Sequence, residues 1–66
     1  MQNPFARANR YRTRSRECLE LAASASEAEI ARQYELIATE YQMLAEAEMR
    51  IAEQERRLNQ TVRHTE

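Results

Sequence analysis

The side chains of this 66-residue chain that could do chemistry are one cysteine, one histidine, the glutamates and the arginines. A reactive thiol needs a nearby cation or a helix N-terminus, whereas Cys18 has Glu17 and Glu20 as its close neighbours in sequence. We therefore interpret Cys18 as a packed side chain, with a cross-subunit disulfide or a shared metal site as the alternative. His64 stands third from the end, where a lone histidine is usually solvated.

The glutamates do not form a recognisable metal-binding pattern. Di-metal helical bundles use Glu-x-x-His motifs on facing helices, and this chain has none. Glu48 and Glu55 are about two helical turns apart, so only an oligomer would bring a pair together. The absence of glycine also excludes a Gly-rich phosphate loop and a nucleophile elbow. The sequence thus predicts that the protein is not an enzyme and has no cofactor or metal.

The arginines are segregated from the glutamates along the chain. Residues 1–16 contain five arginines and no acid, whereas residues 17–48 contain eight glutamates and Arg32 as the only cation. One interpretation is internal pairing with an antiparallel second helix, and a second is docking to an acidic protein surface. A third is phosphate contact with nucleic acid, although the net charge of −1 argues against it. The residues considered for electrostatic docking are Arg7, Arg10 and Arg14, and those for internal pairing are Glu35, Glu40, Glu46 and Glu48.

The same basic segment, with Thr13 and Ser15, also has the composition of a mitochondrial transit peptide. We favour a cytoplasmic protein, because the segment shares the helical pattern of the residues after it and a single cysteine fits a reducing compartment. No stretch approaches the roughly 18 consecutive apolar residues that a membrane span needs.

Alanine, glutamate, arginine, leucine and glutamine are all strong helix formers, and their prominence is typical of long helices. The pair Asn3-Pro4 is a helix start signal, and Ser26 with Glu29 is typical of a capping box. We therefore predict one helical-hairpin domain over residues 1–66. Its expected parts are helix 1 at about 4–23, a turn at 24–26, helix 2 at about 27–62 and a tail at 63–66.

Heptad spacing predicts the packing faces of both helices. Large apolar side chains recur every seven residues in helix 2, with tyrosines interleaved and an alanine row beside them. Helix 1 has a matching row of smaller side chains, and a short turn favours antiparallel pairing of small residues against large ones. The expected packing and oligomer seam is Tyr11, Cys18, Leu21, Ile30, Tyr34, Ile37, Tyr41, Leu44, Ile51 and Leu58.

A two-helix hairpin buries too little surface to be stable alone, and oligomerisation is the usual remedy. Helix 2 overhangs helix 1 by roughly fifteen residues, which exposes Ile51 and Leu58. Glu48 and Glu55 would each face their own copy in a parallel dimer, where like charges repel. They therefore favour antiparallel association or a basic partner. The alternative is that helix 2 leaves the packed core after Ala47 and frays. We predict an all-α antiparallel hairpin with a longer second helix that assembles into a four-helix bundle, as a homodimer or higher homo-oligomer.

The pattern from Tyr11 to Ala25, YRxxSxECxxLAxxA, followed by IAxxYxxLA from Ile37 to Ala45, resembles a group of short alphaproteobacterial proteins common in rhizobia. The pattern of that group is roughly YRxxAxECxxLAxxA, then LAxxYxxLA, so Ser15 and Ile37 are the departures. The resemblance covers about residues 11–47 and implies a helical hairpin. The group has no assigned activity, so the resemblance implies no catalytic residue.

Together these patterns predict a non-enzymatic helical interaction module or small accessory subunit that acts through self-association. The alternative is a small nucleic-acid-associated regulator that uses the arginine-rich first helix.

Overall fold

A computed structural model describes residues 3–64 of the chain, with side chains described up to residue 60. It contains two α-helices, α1 over Pro4–Ser24 and α2 over Ala28–His64, which pack against each other as an antiparallel hairpin. The molecule is a rod of 60 × 16 × 14 Å. No helix in the described part of the chain is long and apolar enough to cross a membrane. The all-α hairpin with a longer second helix is confirmed.

The ends of α1 are set by local hydrogen bonds. The Asn3 side chain accepts a hydrogen bond from the Ala6 N–H at 2.8 Å, and Pro4 occupies the first helical position, as the start signal indicates. At the other end, the Ala25 N–H donates to the Ala22 carbonyl at 3.3 Å while the backbone of Ala25 becomes extended. The chain therefore turns directly after Ser24.

Helix α2 begins one residue later than the sequence pattern indicates. The Ala31 N–H donates to the Glu27 carbonyl at 3.0 Å, which puts Glu27 in the N-cap position. The capping box expected between Ser26 and Glu29 does not form, since the described side chains make no hydrogen bond there. In the predicted tail, residues 63 and 64 continue α2, residues 65 and 66 lie outside the described part, and the side chain of His64 is not described.

Small residues form the contact between the two helices. They repeat every seven positions on each helix, and all of them are less than 9% exposed. We call this set the small-residue seam; it comprises Ala8, Ser15 and Ala22 of α1 with Ala38, Ala45 and Ala52 of α2. Because an alanine or serine side chain is short, the two backbones can approach closely along the whole seam.

A hydrogen bond and an aromatic pair show the register of the hairpin. The Ser15 hydroxyl donates to the Ala38 backbone carbonyl at 2.9 Å, in the buried seam. A serine side chain reaches an opposite main chain only where the helices lie close together. The rings of Tyr11 and Tyr41, both expected in the packing seam, stack with their centroids 6.2 Å apart.

The expected packing of small residues on one helix against large residues on the other is wrong within the chain. The buried residues of the contact are small on both helices, whereas the row of isoleucines and leucines is only partly covered. Each member of that row is 40–59% exposed: Ile30, Ile37, Leu44, Ile51 and Leu58. The physical reason is that these residues stand one position before the alanines of α2, about 100° around the helix. They border the seam instead of filling it.

Enlarging a seam residue should destabilise the hairpin. Ala45 is 1% exposed, so Ala45→Leu forces the helices apart, and we expect a loss of about 1–3 kcal/mol. Leucine and alanine have similar helix propensities, so the loss reports packing. The measurement is urea unfolding followed by circular dichroism at one fixed protein concentration.

The matched control for this substitution is Ala23→Leu on the exposed side of α1, expected within about 0.5 kcal/mol of the unmodified chain. Equal stability of the two variants would contradict the close approach of the helices.

Candidate interaction surface

A row of exposed aliphatic side chains lies along α2, formed by Ile30, Ile37, Leu44, Ile51 and Leu58. We call it the aliphatic stripe. Its members repeat every seven residues, so at about 1.5 Å per residue the stripe is roughly 42 Å long. The described part of the chain has no large side chain that is fully buried. The largest apolar groups of the molecule are therefore available to something outside the chain.

The other helix contributes to the same face. On α1, the residues that precede the small-residue seam are Arg7, Arg14 and Leu21, at the same spacing of seven. Positions that precede the seam lie on the same side of both helices, because the helices run antiparallel. Leu21 is 48% exposed and extends the apolar surface near the turn, while the two arginines border it further along.

An ion pair joins the helices near the start of α1. The Arg7 Nε lies 2.9 Å from each carboxylate oxygen of Glu48, and the Glu48 side chain is only 15% exposed. The hydrogen bond with Glu48 raises the pKa of Arg7 above its usual value, with further attraction from Glu48 and Glu55, while desolvation opposes the rise. Arg7 therefore stays positively charged and neutralises an acid that the heptad pattern places in the contact.

This geometry decides between two expectations for Glu48. Its internal pairing with an arginine of α1 is confirmed, whereas its placement on the uncovered part of helix 2, facing a second copy, is wrong. Packing within the chain also continues past Ala47, since Ala52 is 8% exposed. The alternative in which helix 2 leaves the core after Ala47 is therefore wrong.

Most of the arginine cluster remains in solvent. Arg14 pairs with Glu17 of its own helix at 3.5 Å. Arg10, Arg12 and Arg16 are exposed and make no ion pair with any described residue. Of the four glutamates expected to neutralise the cluster, Glu35, Glu40, Glu46 and Glu48, the structure shows only the last in an ion pair with it.

The candidate chemical groups are dispersed. Cys18 is a half-buried free thiol beside the seam. Within the described residues, no three histidine, cysteine or acidic side chains gather where they could hold a metal ion. At the start of α1, an open groove of about 540 Å³ runs between Pro4, Phe5 and the side of α2 at Met49 and Arg56. Its described lining includes no nucleophile with an adjacent base.

The ion pair across the helices should respond to salt. Glu48→Gln keeps the shape of the side chain and removes its charge, so we expect lower stability at low ionic strength. The difference from the unmodified chain should shrink as salt rises to about 1 M, where charges are screened over about 3 Å. Thermal unfolding at several salt concentrations measures it.

The control is Glu46→Gln, two residues away on α2, exposed and without an ion pair among the described residues. A salt-independent loss, or the same loss in both variants, would show that the ion pair does not hold the helices together.

Comparison of the chain with models of protein families, with curated proteins and with solved structures found no match. The resemblance to the rhizobial group stays a prediction from its motif. The function must therefore be argued from the surface that the hairpin presents.

Proposed function

We propose that this chain is a non-enzymatic interaction module that self-associates through the aliphatic stripe, so that two hairpins form a four-helix dimer. The occupant of the stripe is a second copy of the chain. The single observation that carries the proposal is the exposure of every stripe residue by 40% or more, beside a core made of alanine and serine. A partner that covers the stripe supplies the apolar burial that the hairpin lacks.

The accessible surface of the hairpin is too large for a folded monomer of its mass. A compact protein of 7.8 kDa exposes about 4,400 Å² by the usual scaling with mass, and this chain exposes 5712 Å². The excess, about 1,300 Å², exceeds the roughly 800 Å² that each partner buries in a standard protein–protein interface. One interface of that size along the stripe would therefore remove more than half of the excess.

The free energy of folding of a single hairpin also favours self-association. Ordering a residue costs about 1.5 kcal/mol, and burial of a large aliphatic side chain returns about 1.5–3 kcal/mol. Within the described residues, the buried side chains are all small: five alanines, one serine and one proline. Covering five isoleucines and leucines on each of two copies adds the missing stabilisation, which makes folding and association one process.

A charge placed in the stripe should abolish association. Ile51→Asp puts a carboxylate into the interface of both copies, and we expect the dimer dissociation constant to rise by about 100-fold or more. Sedimentation equilibrium over micromolar concentrations measures the change. Circular dichroism on the same samples reports any loss of helix that accompanies dissociation.

The control is Met43→Asp, which carries the same helix-propensity cost at a site 62% exposed and outside the stripe. It should remain associated. A folded, unmodified chain that is monomeric at micromolar concentration would overturn the proposal.

A second candidate function is contact with the phosphates of nucleic acid, favoured by three arginines of α1 that make no ion pair with a described residue. These are Arg10, Arg12 and Arg16, whereas the set expected from sequence included Arg7 and Arg14, which the structure places in ion pairs. Phosphate contacts release counterions, so binding would weaken steeply with salt.

Titration of duplex DNA at about 50 mM salt tests this candidate. Binding that is lost when Arg10, Arg12 and Arg16 are changed to alanine, and kept when Arg32, Arg50 and Arg56 are changed, would support it. Absence of binding at that salt concentration would reject it.

A further inference from the structure

The geometry points to an antiparallel dimer in which the two α2 helices cross face to face at Leu44, with the overhang of each copy against the turn end of its partner. This inference rests on the proposed self-association and adds its orientation and register. Three features of the described residues carry it: the symmetry of the aliphatic stripe, the uncovered end of α2 and the distribution of charge.

The aliphatic stripe is symmetric about its central member. Its five residues are evenly spaced by seven, with two on either side of Leu44. An antiparallel pair with its two-fold axis at Leu44 therefore brings every stripe residue onto a stripe residue of the partner. The facing pairs are Ile30 with Leu58, Ile37 with Ile51, and Leu44 with its own copy. A shift by one heptad leaves a stripe residue of each copy uncovered.

The end of α2 is little covered by its own chain, since its described residues from Gln54 to Gln60 are all exposed. Helix α1 starts at Pro4, and its ion pair from Arg7 reaches α2 at Glu48. Among the side chains described, up to residue 60, the last buried one in α2 is Ala52, yet the helix continues to His64. In the antiparallel register, Leu58 of this overhang packs at the turn end of the partner, where Leu21 is also exposed.

The distribution of charge along the hairpin also favours the antiparallel dimer. Around the turn, residues 17–36 contain five glutamates and Arg32, a net charge of −4. In the overhang, residues 50–60 contain three arginines and two glutamates, a net charge of +1. A parallel dimer would place the two acidic turn ends side by side, whereas the antiparallel dimer places each beside a slightly basic overhang. Such charge patterns select orientation more than they add affinity.

Site-specific cross-linking tests the orientation and register. In a Cys18→Ala background, single cysteines are introduced by Ile37→Cys, Leu44→Cys and Ile51→Cys, and a short bismaleimide joins thiols about 8–10 Å apart, the usual spacing of packed helices. We expect Leu44→Cys to form a homodimer and Ile37→Cys alone to form none, because two copies of position 37 lie roughly 21 Å apart along the axis. A mixture of Ile37→Cys and Ile51→Cys should give the mixed product by mass spectrometry.

Each other outcome is decisive. A homodimer from Ile37→Cys together with one from Leu44→Cys indicates a parallel pair and overturns the orientation while self-association stands. A homodimer from Ile37→Cys without one from Leu44→Cys overturns the register, since the axis then lies at Ile37. No product from any variant, with the background chain monomeric by sedimentation, overturns both the orientation and the proposed function.

A control for nonspecific capture is Gln42→Cys, which is exposed and lies two positions before Leu44, about 160° around α2 from the stripe. Its two copies should not cross-link in the proposed dimer, and a yield equal to that of Leu44→Cys would show that collisions, not an interface, produce the homodimer.

Discussion

The hydrogen bond from the Ser15 hydroxyl to the Ala38 carbonyl, at 2.9 Å, represents the constraint on which this structure depends: the two backbones must lie close together. A side chain larger than serine at the seam would hold them apart. The seam therefore consists of alanines on both helices with one serine that satisfies its own polarity by bonding the opposite main chain. The stacked rings of Tyr11 and Tyr41 then cover one side of the contact.

Because small side chains let the two helices approach closely, the contact between them buries little apolar area. Alanine methyls bury little surface, and the rows that flank the seam carry the large aliphatic side chains into solvent. The contact between the helices thus gives the hairpin its geometry but little of the burial that stabilises ordinary domains. A surface of 5712 Å² on a chain this small is the direct consequence. Side chains of the kind that form the core of a larger protein are partly exposed here.

Much of the fold is encoded locally and can be read from the residues. Asn3 and Pro4 start α1 as their side-chain chemistry dictates, and the lack of glycine and aspartate leaves a single break. Which heptad row faces inward is not local, because α2 carries an alanine row and an aliphatic row at adjacent positions. Burial of apolar area would favour turning the aliphatic row toward α1, whereas close approach of the backbones and the Ser15 hydrogen bond favour the alanine row. Which row faces inward depends on both helices at once, so it cannot be predicted from the residue spacing of either helix alone.

The ion pairs show the same division between local and tertiary information. Pairs within one helix, such as Arg57 with Glu53 at 3.6 Å, follow from a spacing of four. The pairing of Arg7 with Glu48 spans 41 positions and depends on the register, which pairs the acid with one arginine and leaves Arg10, Arg12 and Arg16 unpaired among the described residues.

The Arg7–Glu48 ion pair also marks where the hairpin stops covering itself. It compensates an acid near the end of the contact, and beyond Ala52 the neighbouring heptad position is Glu55, whose charge also attracts Arg7. The side of α2 that faces α1 thus becomes polar where α1 ends, while the aliphatic stripe continues unchanged through Ile51 and Leu58. Two faces of one helix therefore have different limits: on α2 the seam covers residues 38–52, and the stripe covers residues 30–58. A stripe that continues beyond the other helix of its own chain matches a second α2 of equal length in both extent and spacing, which is the physical basis for assigning it to another copy.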